Sequence, residues 1–146
     1  MTDAMQMIER AVSMYEAHGQ MPSSLELAYL GDAVYSLYVR MILVPGGGKI
    51  QKTHLATSAI VCAHAQSEAF LRIEGMLTEE EADVARRARN CSQKPPHHCD
   101  PAEYRRATAV EALLGYLCIK KEFDRADAIM KAILAPHHET EETENA

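Results

Sequence analysis

Residues 27–39 read LAYLGDAVYSLYV and residues 107–119 read ATAVEALLGYLCI. Both runs are apolar at helical spacing and free of proline, so both are read as α-helices. Asp32 is the only charge in the first, and Glu111 the only charge in the second. No basic residue lies within a helical turn of either. A carboxylate in such surroundings is costly to desolvate unless it is paired, hydrogen-bonded or metal-bound. If the two helices cross, the carboxylates converge into an oxygen site for a hard divalent cation such as Mg2+. The plainer alternative is that each acid sits on a wet strip of its own helix.

Working outward from the first run, Ser23 or Ser24 is placed to cap its helix, which ends before Pro45 and the glycines Gly46 to Gly48. Leu27, Leu30, Val34, Leu37 and Met41 form a stripe opposite Asp32, while Ala28, Tyr29 and Val39 make the other side apolar too. The expectation is a helix buried nearly all round, either at the centre of the core or against a second subunit. Tyr35 and Val39 are the candidate partner-facing positions. A helix over about 3–17 precedes it and stops near Gly19.

A third helix is expected over about 51–74, closed by Gly75, with His54 and His64 as satisfied core histidines. Thr78 and Glu81 form a capping box for a fourth, which ends in the basic run Arg86 to Asn90. Pro95 and Pro96 make the segment CSQKPPHHCDP a loop. Asp100, Pro101 and Glu103 then supply an N-cap, a first-turn proline and a capping-box acid for the helix of Glu111. A last amphipathic helix covers about 123–134. With no strand-period segment, repeat or interdomain linker, the reading is all-α: a compact bundle of about six or seven helices. It forms one domain over 1–135, followed by an acidic tail, 136–146, expected to be disordered.

The chain of 146 residues with 47% hydrophobic content suffices for one domain with a real core. Asp32 and Glu111 interrupt its most apolar stretches, so no membrane-spanning segment is expected. MTDAMQMIER lacks the apolar region of a secretory signal. A cytoplasmic protein with reduced cysteines is the expectation. The net charge of −6 argues against a nucleic-acid partner, but the last ten residues, HHETEETENA, hold four glutamates. Meanwhile Arg86, Arg87, Arg89, Lys94, Arg105 and Arg106 cluster between 86 and 106, forming a local basic patch on an acidic molecule.

Other candidates are weaker. Cys91, His97, His98 and Cys99 match no usual zinc spacing. Gly46-Gly47-Gly48-Lys49 lacks the spacing and the Ser or Thr of a phosphate loop and reads as a connector. Glu79 to Glu81 are acids favoured at a helix N-terminus.

Tyr29-Leu30-Gly31-Asp32-Ala33-Val34 resembles the "LGD" signature of ribonuclease III catalytic domains, and Val110-Glu111-Ala112-Leu113-Leu114-Gly115 resembles their second signature. Order, separation and helical surroundings agree. Acids found in full-length members one and two turns before the aspartate and one turn before the glutamate are replaced here by Ala28, Leu25 and Thr108. In those losses the chain is similar to the stand-alone Mini-ribonuclease III subfamily, which lacks a double-stranded RNA-binding domain. Arg86-Arg87-Ala88-Arg89-Asn90 and Tyr104-Arg105-Arg106-Ala107-Thr108 resemble two basic runs of that subfamily, with Ala88 and Ala109 in place of usual glycines. The resemblance spans about 22–134.

It implies that Asp32 and Glu111 are catalytic and hold Mg2+, with Mn2+ able to substitute. It further implies cleavage of double-stranded or structured RNA to 5′-phosphate and 3′-hydroxyl ends, a large-subunit (23S) ribosomal RNA precursor as substrate, and a homodimer. RNA contacts would come from Arg86, Arg87, Arg89, Asn90, Lys94, Arg105 and Arg106. The competing reading is a non-catalytic helical RNA-binding or ribosome-assembly factor that kept the fold, which the missing acids at Ala28 and Thr108 favour. A helical nucleotide hydrolase would require several paired acids on one helix, and none stand near Asp32.

Overall fold

The computed structural model describes residues 3–16, 19–91 and 94–144, with side chains over 6–16, 19–91 and 94–135. Seven α-helices and no strands are present among them: α1 Asp3–Glu16, α2 Ser24–Leu43, α3 Ile50–Val61, α4 Ala63–Ile73, α5 Glu79–Arg89, α6 Pro101–Ile119 and α7 Phe123–Glu144. Short 3-10 turns follow α2 and α4. The all-α expectation holds.

Local chemistry sets several of the boundaries. Ser23 and Glu26 cap α2 reciprocally, as do Thr78 and Glu81 for α5. Asp100 caps α6 by accepting from the Ala102 N–H at 2.8 Å, with Pro101 as the first helical residue. Glu103 does not complete a capping box there; its carboxylate turns to His64 instead. The single helix expected over 51–74 is broken at Cys62, whose extended backbone ends α3 and starts α4. No proline or glycine causes the break. It lets α3 pack on α2 while α4 turns to pack on α6 and α7. The helix expected to end near 134 continues to Glu144, and the expected disorder of the acidic tail falls on residues without described side chains.

The central element is α6, not α2. Ala107, Ala109, Val110, Ala112, Leu113, Leu114, Gly115 and Leu117 are all buried, which covers every side of that helix. Around it pack Tyr35 and Val39 from α2, Phe70 and Ile73 from α4, and Ile129, Met130 and Ile133 from α7. Truncating one such residue to alanine costs about 2–5 kcal/mol. By contrast α2 buries one face, Leu27, Ala28, Gly31, Tyr35 and Val39, and of the expected stripe it leaves Leu37 and Met41 in solvent, Leu30 and Val34 half-buried. Tyr35 and Val39 are therefore core residues and face no partner.

A polar staple adds to the apolar core. Glu81, nearly fully buried, accepts two 2.8 Å hydrogen bonds from Arg125, which also donates to the Met76 carbonyl at 2.7 Å. The guanidinium holds the Glu81 carboxyl below its ordinary range and ties the start of α5 to α7. Asp32 does not keep the segment Ser24–Gly46 below membrane-spanning length and apolarity: by length and composition alone it passes that test. In this fold its buried face packs on α6.

Candidate active site

Asp32 and Glu111 come together because α2 and α6 cross at two glycines. A Cβ on Gly31 would lie 1.6 Å from the Glu111 carbonyl oxygen, and one on Gly115 would lie 2.0 Å from the Leu27 carbonyl oxygen. Only hydrogen side chains permit backbones to touch in this way. The aspartate follows Gly31 directly, so the same contact that joins the helices brings its carboxylate to Glu111.

Asp32 is exposed, whereas Glu111 is partly buried. Burial pushes the Glu111 carboxyl up to about 8, with the Asp32 charge and a hydrogen bond between the two acids as further causes. Neither acid has a Lys, Arg or His ion-pair partner among the described residues, and no third His, Cys, Asp or Glu joins them into a larger metal-binding group. Two convergent oxygen donors whose repulsion no protein cation relieves suit a hard divalent ion. Such an ion keeps several waters when only one or two carboxylates bind it.

Both acids open into a cleft of about 400 Å3 between α2, the α3–α4 junction and α6. Leu25, Ala28 and Thr108, the positions of the missing acids, lie on its wall. The Thr108 hydroxyl donates to the Tyr104 carbonyl at 2.9 Å. A larger hollow of about 740 Å3 lies between Thr78–Glu81 and Lys121–Arg125, away from both carboxylates and beside the Glu81–Arg125 staple. The cleft is the better site, because the unrelieved charge is there.

The basic residues divide into two groups. Arg86 and Arg87 are exposed on α5 and both pair with Asp83, Arg87 at 3.0 Å. Asn90, Lys94 and Arg105 are exposed as well. Arg89 turns inward: its guanidinium lies 5.2 Å from the Phe70 ring centroid, and its buried Nε has no hydrogen-bond partner among the described residues. Arg106 donates to the Ser67 hydroxyl at 3.3 Å.

His54 and His64 are both exposed, contrary to the core expectation. His64 meets the Glu103 carboxylate at 2.7 Å, which raises its pKa and links α4 to the first turn of α6. Sequence reasoning also missed Gln66, which lines the cleft. The available signal was a polar residue within the apolar series Ala63, Phe70, Ile73 at helical spacing.

A ribonuclease III domain family model matches residues 25–122. The chain is 44% identical over 111 residues to a Mini-ribonuclease 3 of Thermoanaerobacter sp., covering 75% of this chain and 78% of that one. To a Mini-ribonuclease 3 of Gloeobacter violaceus it is 47% identical over 108 residues, covering 73% and 79%. An X-ray crystal structure of a Fusobacterium nucleatum protein superposes with a TM-score of 0.78 at 32% identity, over 84% of this chain and 95% of that one.

Proposed function

The chain belongs to the ribonuclease III family, and on that premise we propose that it is a Mg2+-dependent endoribonuclease cutting double-stranded or structured RNA, with Mn2+ able to replace Mg2+. Cleavage leaves a 5′-phosphate and a 3′-hydroxyl. The proposed substrate is a precursor of large-subunit (23S) ribosomal RNA in the cytoplasm. The observation that carries this reading is the meeting of Asp32 with Glu111 across the α2–α6 crossing, in a cleft, without a protein cation between them.

Asp32 and Glu111 would hold the metal, which supplies an activated water and stabilises charge developing on the phosphate. For this Glu111 must give up the proton that burial and Asp32 otherwise make it retain. Gly31 and Gly115 keep the two carboxylates in register by fixing the helix crossing. The exposed cations Arg86, Arg87, Lys94 and Arg105 are suited to track phosphates of an A-form duplex, which is read by shape and backbone.

We assign the same chain a homodimeric state. Leu37 and Met41 on α2 and Ile50 and Leu55 on α3 are exposed, a face more apolar than a lone subunit needs. A non-catalytic RNA-binding role is the second reading, favoured by the acid-free wall at Ala28 and Thr108. One experiment separates the two: incubation of the protein and its Asp32→Asn variant with a long RNA duplex, with and without Mg2+. Cleavage by the native chain alone, and only with metal, is expected. Duplex binding without any cleavage selects the second reading.

A further inference from the structure

Four polar or charged residues are buried among the described residues: Thr57, Gln66, Ser67 and Glu81. Thr57 donates to the Thr53 carbonyl at 2.9 Å, Ser67 accepts from Arg106, and Glu81 is held by Arg125 and Thr78. The Gln66 side chain makes no hydrogen bond among the described residues; the residue is only 2% exposed, yet its amide atoms are not fully sealed from solvent. An amide so placed normally takes a partner, from the protein or from water. This one lines the cleft that holds Asp32 and Glu111.

The Gln66 backbone is an ordinary part of the turn that starts α4, its N–H donating to the Cys62 carbonyl at 3.0 Å. Its neighbours in the helix stripe, Ala69, Phe70 and Ile73, are core residues. Packing at this position would be served as well by an apolar side chain of equal volume, so the amide has no use in the fold itself. In the cleft it does. A divalent ion held by two carboxylates keeps a shell of waters whose hydrogens need acceptors. The nearby wall is apolar at Ala28, Val61, Ala63 and Ala107, and besides Gln66 its neutral polar side chains are the hydroxyls of Tyr29, Tyr104 and Thr108, the last donating to the Tyr104 carbonyl.

We propose that Gln66 is a positioning residue for the metal site, its Oε1 accepting a hydrogen bond from the water shell of the divalent cation held by Asp32 and Glu111. This inference rests on the metal-binding role proposed for those two acids. Outer groups of this kind commonly change metal affinity by about 10–100-fold.

Titration calorimetry of the full chain with Mn2+ alone tests it. The native protein should bind Mn2+ and Asp32→Asn should not; failure of that pair of results removes the metal reading itself. Gln66→Met, a volume-conserving change, should keep or raise the melting temperature of the metal-free protein and weaken Mn2+ binding about tenfold or more. Its affinity for duplex RNA without metal should be unchanged. Native Mn2+ affinity in a folded Gln66→Met protein would overturn the proposal while leaving Asp32 and Glu111 in place. A loss confined to metal-free RNA binding would overturn it too, by placing the amide on the RNA. Should Gln66→Met not fold, Gln66→Glu decides: it retains the acceptor, so equal or tighter Mn2+ binding supports the assignment and tenfold weaker binding sinks it.

Discussion

Gly31 lies against the main chain of Glu111 so closely that one methyl group on its Cα would sit 1.6 Å from the Glu111 carbonyl oxygen. Nothing flexible can yield there, because the obstacle is backbone. Gly31→Ala should therefore lower stability by about 1–3 kcal/mol through forced separation of α2 and α6, even though alanine is the better helix former. Cleavage should fall further than stability, since the shift acts on the carboxylate pair. A thermal melt and a duplex-cleavage assay check both, and an unchanged or raised melting temperature would refute the close crossing.

The Asp32–Glu111 pair also sets a pH dependence. An unfolded glutamate titrates near about 4.3, whereas in the metal-free fold burial and Asp32 push Glu111 up to about 8. Between those values the folded chain binds more protons than the unfolded one, so this group makes stability fall as pH rises through the window. Denaturant melts of the metal-free native protein and of Glu111→Gln, compared from pH 5 to 8.5, isolate the effect. The native protein should lose stability relative to the variant as pH rises, and saturating Mg2+ should recover part of the loss at the alkaline end. A difference between the two that stays flat with pH would show that Glu111 is not held protonated.

How much of this was legible beforehand depends on the range of each interaction. At α2 the sequence leaves Ser23 and Ser24 both open and the structure selects Ser23, paired with Glu26, whereas the capping pair Thr78–Glu81 lies three residues apart and could be read directly. So could Gly31 beside Asp32, and Glu111 four residues before Gly115, because short motifs keep the crossing glycines next to the acids. The break at Cys62 was hidden, since no local residue demands it and tertiary packing imposes it. Glu103 looked like a capping acid until His64, 39 residues away, took its carboxylate. Apolar residues all around α2 did not tell which side meets the core, and the helix that the core surrounds proved to be α6.

That apolar excess on α2 gives a test of assembly. Leu37 is 57% and Met41 68% exposed, while Val39 between them is buried. The native chain should sediment as a dimer of its 16.2 kDa subunit at micromolar concentration. Leu37→Glu should shift it to monomer with helicity retained, whereas Val39→Glu should unfold it, because a charge would enter the core. A native protein found only as monomer in analytical ultracentrifugation would eliminate the homodimer.

Arg86, Arg87 and Arg89 adjoin in sequence, but the structure separates their roles. The first two are exposed and share Asp83, an arrangement worth little to stability because solvent screens it. Replacing both with alanine should leave the melting temperature nearly unchanged. It should weaken duplex RNA binding for every sequence alike and make the salt dependence shallower by up to about two units of slope. Arg89 packs over Phe70 in the core, so Arg89→Ala should lower the melting temperature. Fluorescence anisotropy over a salt series, paired with circular dichroism melts, measures both quantities on the same samples. If the Arg86/Arg87 double variant keeps native affinity and native salt slope, the exposed end of α5 is a solvated surface and the duplex must bind elsewhere. If instead Arg89→Ala melts like the native protein, the stacking on Phe70 contributes nothing and Arg89 is free to join the phosphate-binding set.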